Sequence, residues 1–344
     1  MEEILIQTAA QKSRILLGEK LQNLKNYIPA GKKTILITDH NLNRIYGKDF
    51  ASWPVIEIGT GEENKNMATI DAIIARLVEL EADRTCYIVG IGGGIVCDIT
   101  GFAASIFMRG VRFGFVSTTL LSQVDASVGG KNGVNYTGYK NMIGVFNQPD
   151  FVICDFEMLR SLDRKEFIGG MAEIIKHGAI KNKQYFEDIE KLLPAALEHN
   201  TEAIHKLVRE SVVIKAGVVE EDEREAGERK KLNFGHTVAH AIEKIDPSVI
   251  HGEAVAIGMV VAARLSVKKG LLKPDDSARL EKLISRSGLP VRLTVDKNLL
   301  FNAMRKDKKR DNESINFILL KGLGSAVIEK ISIHELEEQL NDLC

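Results

Sequence analysis

Residues 86–107 read CYIVGIGGGIVCDITGFAASIF, and the architecture of the first half of the chain follows from them. CYIVG (86–90) is a short apolar run rich in β-branched residues, the mark of a buried strand. GIGGGIVCD (90–98) turns the chain on glycines, and ITGFAASIF continues with apolar residues at helical spacing. Strand, glycine turn and helix form the repeating unit of a parallel α/β sheet. TILIT (34–38), VIEIG (55–59), FGFVS (113–117) and FVICD (151–155) read as further buried strands. Between two of them, Met67 to Glu81 places Ile70, Ile73, Ile74, Leu77 and Val78 at helical spacing. Strands alternating with helices predict a doubly wound parallel sheet, which takes ligands at the carboxyl ends of its strands.

Polar residues collect at those ends. The glycines at 92–94 let backbone N–H groups approach a phosphate, helped by the dipole of the helix they open. The string lacks the Lys-Ser/Thr of a nucleoside triphosphate loop and does not fit GxGxxG, so by itself it is equally a tight turn. Asp39 and Asn41 follow strand 34–38, Glu62 and Lys65 follow strand 55–59, and Thr118 and Thr119 follow strand 113–117. Each could be a cap or a loop residue. Together they favour a dinucleotide, with Asp39 placed to accept from a ribose hydroxyl, hence NAD over NADP.

After about residue 156 the texture changes. Helical patterns cover 171–181, 184–198, 201–219, 236–245, 253–269 and 276–287, and only INFILL (315–320) and AVIEK (326–330), joined by KGLG, read as strands. The domain boundary is expected near Asp155 to Asp163, with a ligand cleft between the α/β and helical parts. Three of the eight histidines, His236, His240 and His251, fall in NFGHTVAH (233–240) and HGEAVAIG (251–258). Imidazole is the commonest side-chain metal ligand and titrates near neutrality. His236 and His240, four apart on a helix, are otherwise a packed or solvated pair.

Composition narrows the classes. The 344 residues are 44% hydrophobic and 27% charged with a net charge of −1, ordinary for a globular protein and without the basic field of a nucleic-acid binder. RKDKKR (305–310) is short, interrupted by Asp307 and followed by a strand, a poor nucleic-acid patch. MEEILIQ lacks the features of a signal peptide, and Ala254 to Ala263 is too short to span a bilayer, so no membrane is expected. Cys86, Cys97, Cys154 and Cys344 show no metal spacing and read as thiols of a reducing, cytoplasmic compartment.

The stretch STTLLSQVDASVGGKNGVNYTGYKNMIGVFNQP (117–149) is glycine-rich yet holds Asp125, Lys131, Lys140 and Asn141. It reads as a loop whose lysines could grip an anion as point charges. It also resembles the TTLL-x-x-VD-x-SVGGK and KN-x-IG-x-F-x-QP motifs of the 3-dehydroquinate synthase family. The resemblance extends through GGG-x-x-x-D (92–98), FAAS-x-x-x-RG (102–110), GMAEIIKHG (170–178), K-x-x-VVEEDERE (215–225), R-x-x-LNFGHT (229–237), HGEAVAIGM (251–259) and DKK (307–309). It covers roughly residues 35 to 320.

The resemblance implies an α/β, Rossmann-like N-terminal domain with a parallel sheet (1–158) that binds NAD, and a mainly α-helical C-terminal domain (159–344) that binds metal and substrate. It implies one divalent metal, usually zinc, with cobalt as the second choice, on Glu173, His236 and His251, a set with open positions as in catalytic zinc sites. Periodicity alone would call Glu173 an exposed acid. NAD positions are Asp39, Asn41, Glu62, Lys65, Gly93, Gly94, Ile95, Asp98, Thr118, Thr119, Leu121, Asp125, Lys131, Lys140, Ser161 and Leu162. Contacts to the substrate, 3-deoxy-D-arabino-heptulosonate 7-phosphate, fall on Arg109, Lys131, Lys140, Asn141, Lys176, Lys215, Arg229, Asn233, His240 and Lys308. Catalytic work falls on His240, Lys131, Glu225, Lys176 and Asn233, and Arg109 would reach the partner's site in a homodimer. By composition, the charged run 220–231 is instead a solvated face.

The implied reaction is a transient oxidation by NAD, loss of phosphate, return of the hydride and aldol closure of a carbocycle. The chain departs from the family pattern at Ser117 (for Pro), Ala126 (for Ser), Tyr136 (for His), Thr137 (for Pro) and Tyr139 (for Gly). These place the loop before Lys140 in question, not the chemistry. Competing readings are another sugar phosphate cyclase, forming an inosose or a valiolone, a metal-dependent polyol dehydrogenase, and a non-catalytic NAD- or metal-binding protein. Retention of Val128 to Lys131 favours dehydroquinate synthesis, and the intact Glu173, His236, His251 and Lys131 argue against a non-catalytic role.

Overall fold

The computed structural model describes residues 1–9, 11–292, 296–308 and 314–341. The chain divides into two compact units, 1–162 with 215–223, and 163–214 with 224–344.

The first unit is built on a seven-stranded sheet. Its strands are β1 (Glu2–Gln7), β2 (Lys12–Leu17), β3 (Thr34–Asp39), β4 (Val55–Ile58), β5 (Tyr87–Gly92), β6 (Arg112–Ser117) and β9 (Phe151–Cys154), in the order β1-β2-β9-β6-β5-β3-β4. All neighbours are parallel except β1 and β2. The five strands expected from their apolar runs are present, and β5 is buried along its whole length. That is the state of a strand covered on both faces by crossover helices. Three helices follow strands here: α1 (His40–Tyr46), α2 (Met67–Glu79) and α3 (Gly94–Ile106). Leu16, Leu36, Val89, Ile91, Val116 and Ile153 form the core on the sheet.

Two features were not expected. The hairpin β1–β2 adds an antiparallel edge; β2 then pairs with β9 as a parallel neighbour. The glycine-rich stretch after β6 is not a loop. It holds a π-helical turn at Ser122–Ala126 and a second hairpin, β7 (Lys131–Tyr136) with β8 (Tyr139–Phe146). Gly133 is there for packing: a Cβ on it would sit 2.5 Å from the Ile143 carbonyl oxygen. The turn uses Thr137 (φ 47°) and Gly138 (φ 81°), both left-handed, as a two-residue hairpin of the right-handed twist requires. Proline cannot reach that φ, so the departure from Pro at 137 goes with this turn.

The second unit is mainly helical. Its helices are α4 (Arg164–Lys181), α5 (Lys183–Leu197), the first two thirds of α6 (Thr201–Glu221), α7 (His236–Ile245), α8 (His251–Lys268), α9 (Pro274–Arg286), α10 (Lys297–Lys308) and α11 (Ile333–Asn341). The hairpin β10 (Ser314–Gly322) with β11 (Ser325–Ser332) completes it. α4 starts seven residues before the expected 171, because Asp163 caps it by accepting from the Lys165 N–H at 2.7 Å. α4 and α8 are buried on nearly every face. They meet at a backbone-to-backbone contact, since a Cβ on Gly252 would lie 2.2 Å from the Gly169 carbonyl oxygen. Among the described residues no helix is long and apolar enough to cross a membrane, and Cys86, Cys97 and Cys154 are buried free thiols.

Candidate active site

In the first unit the parallel strands end together, and the polar residues expected there follow them. α3 begins at Gly94 with Gly93 as its N-cap. A Cβ at Gly93 would come within 2.9 Å of Thr119, and at Gly94 within 2.9 Å of Ala126, so glycine permits the packing of this turn. Ile95 and Asp98 occupy the first turns of α3. Lys65 and Asp98 form a largely buried ion pair, and the Lys65 ammonium also donates to Asn141 Oδ1 at 2.6 Å. Burial raises the Asp98 carboxyl above the ordinary carboxylate range, and the Lys65 cation opposes that rise.

Other expected residues are partly committed to structure. One Asp39 oxygen caps α1 by accepting from the Leu42 N–H at 3.0 Å, with Asn41 in the first turn. The Thr118 N–H donates to the Gly92 carbonyl at 3.0 Å. The Thr119 hydroxyl accepts from the Ser122 N–H at 3.1 Å, bracketing Leu121 in a short turn. Asp125 accepts from the Lys215 ammonium at 2.5 Å, so a cofactor candidate and a substrate candidate are joined. Glu62 accepts from Asn135 at 2.8 Å. Ser161, next to Leu162, shares a 2.7 Å hydrogen bond with Tyr46. Lys131 opens β7 and Lys140 lies on β8, both exposed. Arg109 (φ 70°) follows Met108 (φ 49°), two left-handed non-glycine residues in succession.

The second unit gathers the metal candidates. Glu173, fully buried within α4, lies 3.7 Å from His236 Nε2 and 3.6 Å from His251 Nε2. The three form a group whose ligand atoms all fall within 4.8 Å of one another. Local structure explains the convergence. Gly235 (φ 82°) caps α7 and sets His236 at its first position; a Cβ there would lie 2.8 Å from the Met259 nitrogen. Glu253 accepts from the Ile250 N–H at 3.2 Å and steadies the first turn of α8, which His251 opens. The Gly169–Gly252 contact brings α4 close enough that Glu173, one turn along, faces His251.

The far nitrogens of the rings are also held. His236 Nδ1 donates to the Phe234 carbonyl at 3.2 Å, and His251 Nδ1 donates to Glu243 at 3.1 Å. Both Nε2 atoms therefore face Glu173, the arrangement by which ligating histidines are oriented. Burial, then the nearby Lys176 cation, push His236 down to about 3, so its ring is neutral. Burial opposes protonation of His251, but the Glu173 and Glu243 carboxylates beside it outweigh that and lift it to about 9. Two imidazoles and one carboxylate whose ligand atoms converge in this way fit a divalent cation.

The remaining candidates divide. Lys176 is buried one turn along α4 and pairs with Glu173. Asn233 donates to Glu225 at 2.5 Å, and Glu225 holds φ 60°. Arg229 is 2% exposed, so the charged run 220–231 is not simply a solvated face. His240 is exposed, its ring 5.6 Å from that of His236, and it stands outside the metal-ligand group. The Lys308 side chain lies outside the described residues. Glu243 escaped the sequence reading. Its signal is the spacing from His251 across the turn joining α7 to α8, which means nothing until those helices pack.

A mostly parallel sheet unit whose glycine turn opens a helix, and a helical unit carrying two histidines and a carboxylate, define an α/β protein with a candidate divalent-metal site. Residues 55–169 match the model for the 3-dehydroquinate synthase N-terminal domain, and 170–310 that for the C-terminal domain. A 3-dehydroquinate synthase from Dehalococcoides mccartyi is 40% identical over 343 residues, 95% of each chain. One from Campylobacter curvus is 46% identical over 80% of this chain and 79% of its own. A solved 2-deoxy-scyllo-inosose synthase, described as complexed with carbaglucose-6-phosphate, NAD+ and Co2+, superposes with TM-score 0.88 at 27% identity, covering 99% of this chain and 100% of its own. The chain belongs to the 3-dehydroquinate synthase family. That family's lyase reaction, conversion of 3-deoxy-D-arabino-heptulosonate 7-phosphate to 3-dehydroquinate and phosphate, is its activity.

Proposed function

We propose the following division of labour for that reaction. Residues 1–158, with Ser161 and Leu162 just beyond them, hold NAD, and the rest of residues 159–344 hold the metal and much of the substrate. The observation that carries this reading is the aim of both Nε2 atoms, His236 and His251, at the buried Glu173, each ring fixed from behind. When bound, NAD takes up and returns one hydride, and the divalent ion, zinc or cobalt, supplies Lewis acidity.

The protein's own groups do the rest. Glu173, His236 and His251 are the metal ligands. The N–H groups that open α3, at Gly93, Gly94 and Ile95, receive the pyrophosphate, and Asp39, Asn41, Glu62, Lys65, Asp98, Thr118, Thr119, Leu121, Asp125, Ser161 and Leu162 complete the NAD contacts. Lys131, Lys140, Asn141, Lys176, Lys215, Arg229, Asn233, His240 and Lys308 bind a substrate bearing a phosphate and a carboxylate, whose charges cations recognise strongly. His240, exposed and beside the metal histidines, carries protons; Glu225, bonded to Asn233, orients that amide. Arg109 serves the neighbouring site of a homodimer. The enzyme works in the cytoplasm, a location that the buried free thiols support.

A sister sugar phosphate cyclase is the second reading, since the inosose synthase shares this fold at 27% identity. The 40–46% identity to 3-dehydroquinate synthases outweighs it. Substrate choice tests the assignment. Phosphate release from the heptulosonate phosphate, and none from glucose 6-phosphate, supports it; the opposite preference makes the chain an inosose-type cyclase.

A further inference from the structure

Asn135 belongs to none of the ligand sets above, yet it ties two of them together. The register of the β7–β8 ladder breaks between Val134 and Tyr136, so Asn135 has no Cα partner in β8. Its backbone N–H donates instead to the Lys65 carbonyl at 2.8 Å, and it bridges in parallel to Asn66. Its side-chain Nδ2 donates to Glu62 Oε1 at 2.8 Å. Its Oδ1 accepts from the backbone N–H of Asn141 at 2.9 Å. Asn141 holds a left-handed backbone, φ 51°, and its own Oδ1 accepts from Lys65. A closed ring results: Asn135 to Asn141, Asn141 to Lys65, and Lys65 back to Asn135.

A left-handed non-glycine residue is unfavourable by itself and persists where its surroundings hold it. The Asn135 carbonyl supplies that hold at Asn141. The other end of the same amide fixes the Glu62 carboxylate. Only a carboxamide of this length offers a donor and an acceptor on opposite arms; a carboxylate has acceptors alone.

We propose that Asn135 is a positioning residue that sets the NAD side and the substrate side of the site at once, Glu62 through its nitrogen and Asn141 through its oxygen. The inference rests on the assignment of Glu62 to NAD and Asn141 to substrate. The departures at Tyr136, Thr137 and Tyr139 leave it in place, because the left-handed Thr137–Gly138 turn returns the chain to Lys140 and Asn141 directly.

The two arms can be separated. Asn135→Asp keeps an acceptor for the Asn141 N–H, removes the donor to Glu62 and sets one carboxylate against another. NAD dissociation constants are measured by titration of the metal-loaded protein, and the substrate KM by phosphate release. Asn135→Asp is expected to weaken NAD about 10-fold while moving the KM less than about 2-fold. In a Glu62→Gln background, where the new amide can donate to the new carboxylate, the same change should cost NAD affinity less than about 2-fold. Asn135→Ala, which removes both arms, should worsen both quantities. Equal losses from Asn135→Asp in the two backgrounds, or a KM that rises as far as the NAD constant, would overturn the inference. Unaltered protein that fails to bind NAD would instead contradict the functional reading beneath it.

Discussion

Glu243 lies 3.1 Å behind His251, on Nδ1, while Nε2 of the same ring lies 3.6 Å from Glu173. The imidazole is thus clamped between a carboxylate that orients it and a carboxylate that shares its ligand-binding side. Such partners commonly change metal affinity by about 10- to 100-fold when removed. Glu243→Gln should raise the zinc dissociation constant about 10-fold, and Glu243→Ala about 100-fold, in competition with a chromophoric chelator. Unchanged affinity in both would mean that Glu243 merely fills space.

The proposed function divides the histidine cluster between two roles. His251→Ala should abolish stoichiometric metal binding, read as metal content after dialysis. His240→Ala should retain the metal and slow turnover by about 100-fold or more, the scale of a lost proton carrier. A His240→Ala protein that loses its metal contradicts the ligand set.

Gly252 is needed for its missing side chain. Its Cβ would fall 2.2 Å from the Gly169 carbonyl oxygen and 2.4 Å from the Gly169 Cα, backbone atoms that cannot rotate away. Gly252→Ala should cost about 3 kcal/mol in urea unfolding. Because this contact aligns α4 with α8, metal affinity should fall with it. A variant of native stability and affinity would show that the helices meet less closely.

Glu228 gives a pH signature. Hydrogen bonds from Lys181 at 2.6 Å and Lys231 at 3.0 Å hold its carboxyl below the ordinary glutamate value of 4.5. A depressed folded-state pKa contributes stability above the unfolded value, lost as pH falls through the folded one. Glu228→Gln should therefore cost about 1 kcal/mol at neutral pH. The difference from the unaltered protein should shrink as pH drops below 4.5. A deficit that persists undiminished in acid would show that the ion pairs contribute nothing.

The parallel strands were legible because burial on both faces leaves continuous apolar runs, as in TILIT and CYIVG. The helices of the second half were legible from their period. The β7–β8 hairpin was not, because Gly133 and Gly144 read as loop residues when their purpose is close strand approach. Glu173 was hidden for a related reason: α4 is buried all round, so no polar face marks it, and GMAEIIKHG read alone suggests an exposed acid. The triad became visible through the family motifs. Its physical cause, glycine contacts between distant helices, lies beyond any local pattern. Glu243 and Asn135 were missed because each acts through a neighbour that only the fold supplies.

The central claim is that hydride leaves the substrate and returns to it, so that NAD is used without being consumed. Metal-loaded protein is supplied with the heptulosonate phosphate in large excess over NAD, and phosphate and NADH are followed together. The account predicts many equivalents of phosphate per NAD, with a carbocyclic product and no net NADH. Stoichiometric NADH without phosphate release would contradict it and make the chain a dehydrogenase.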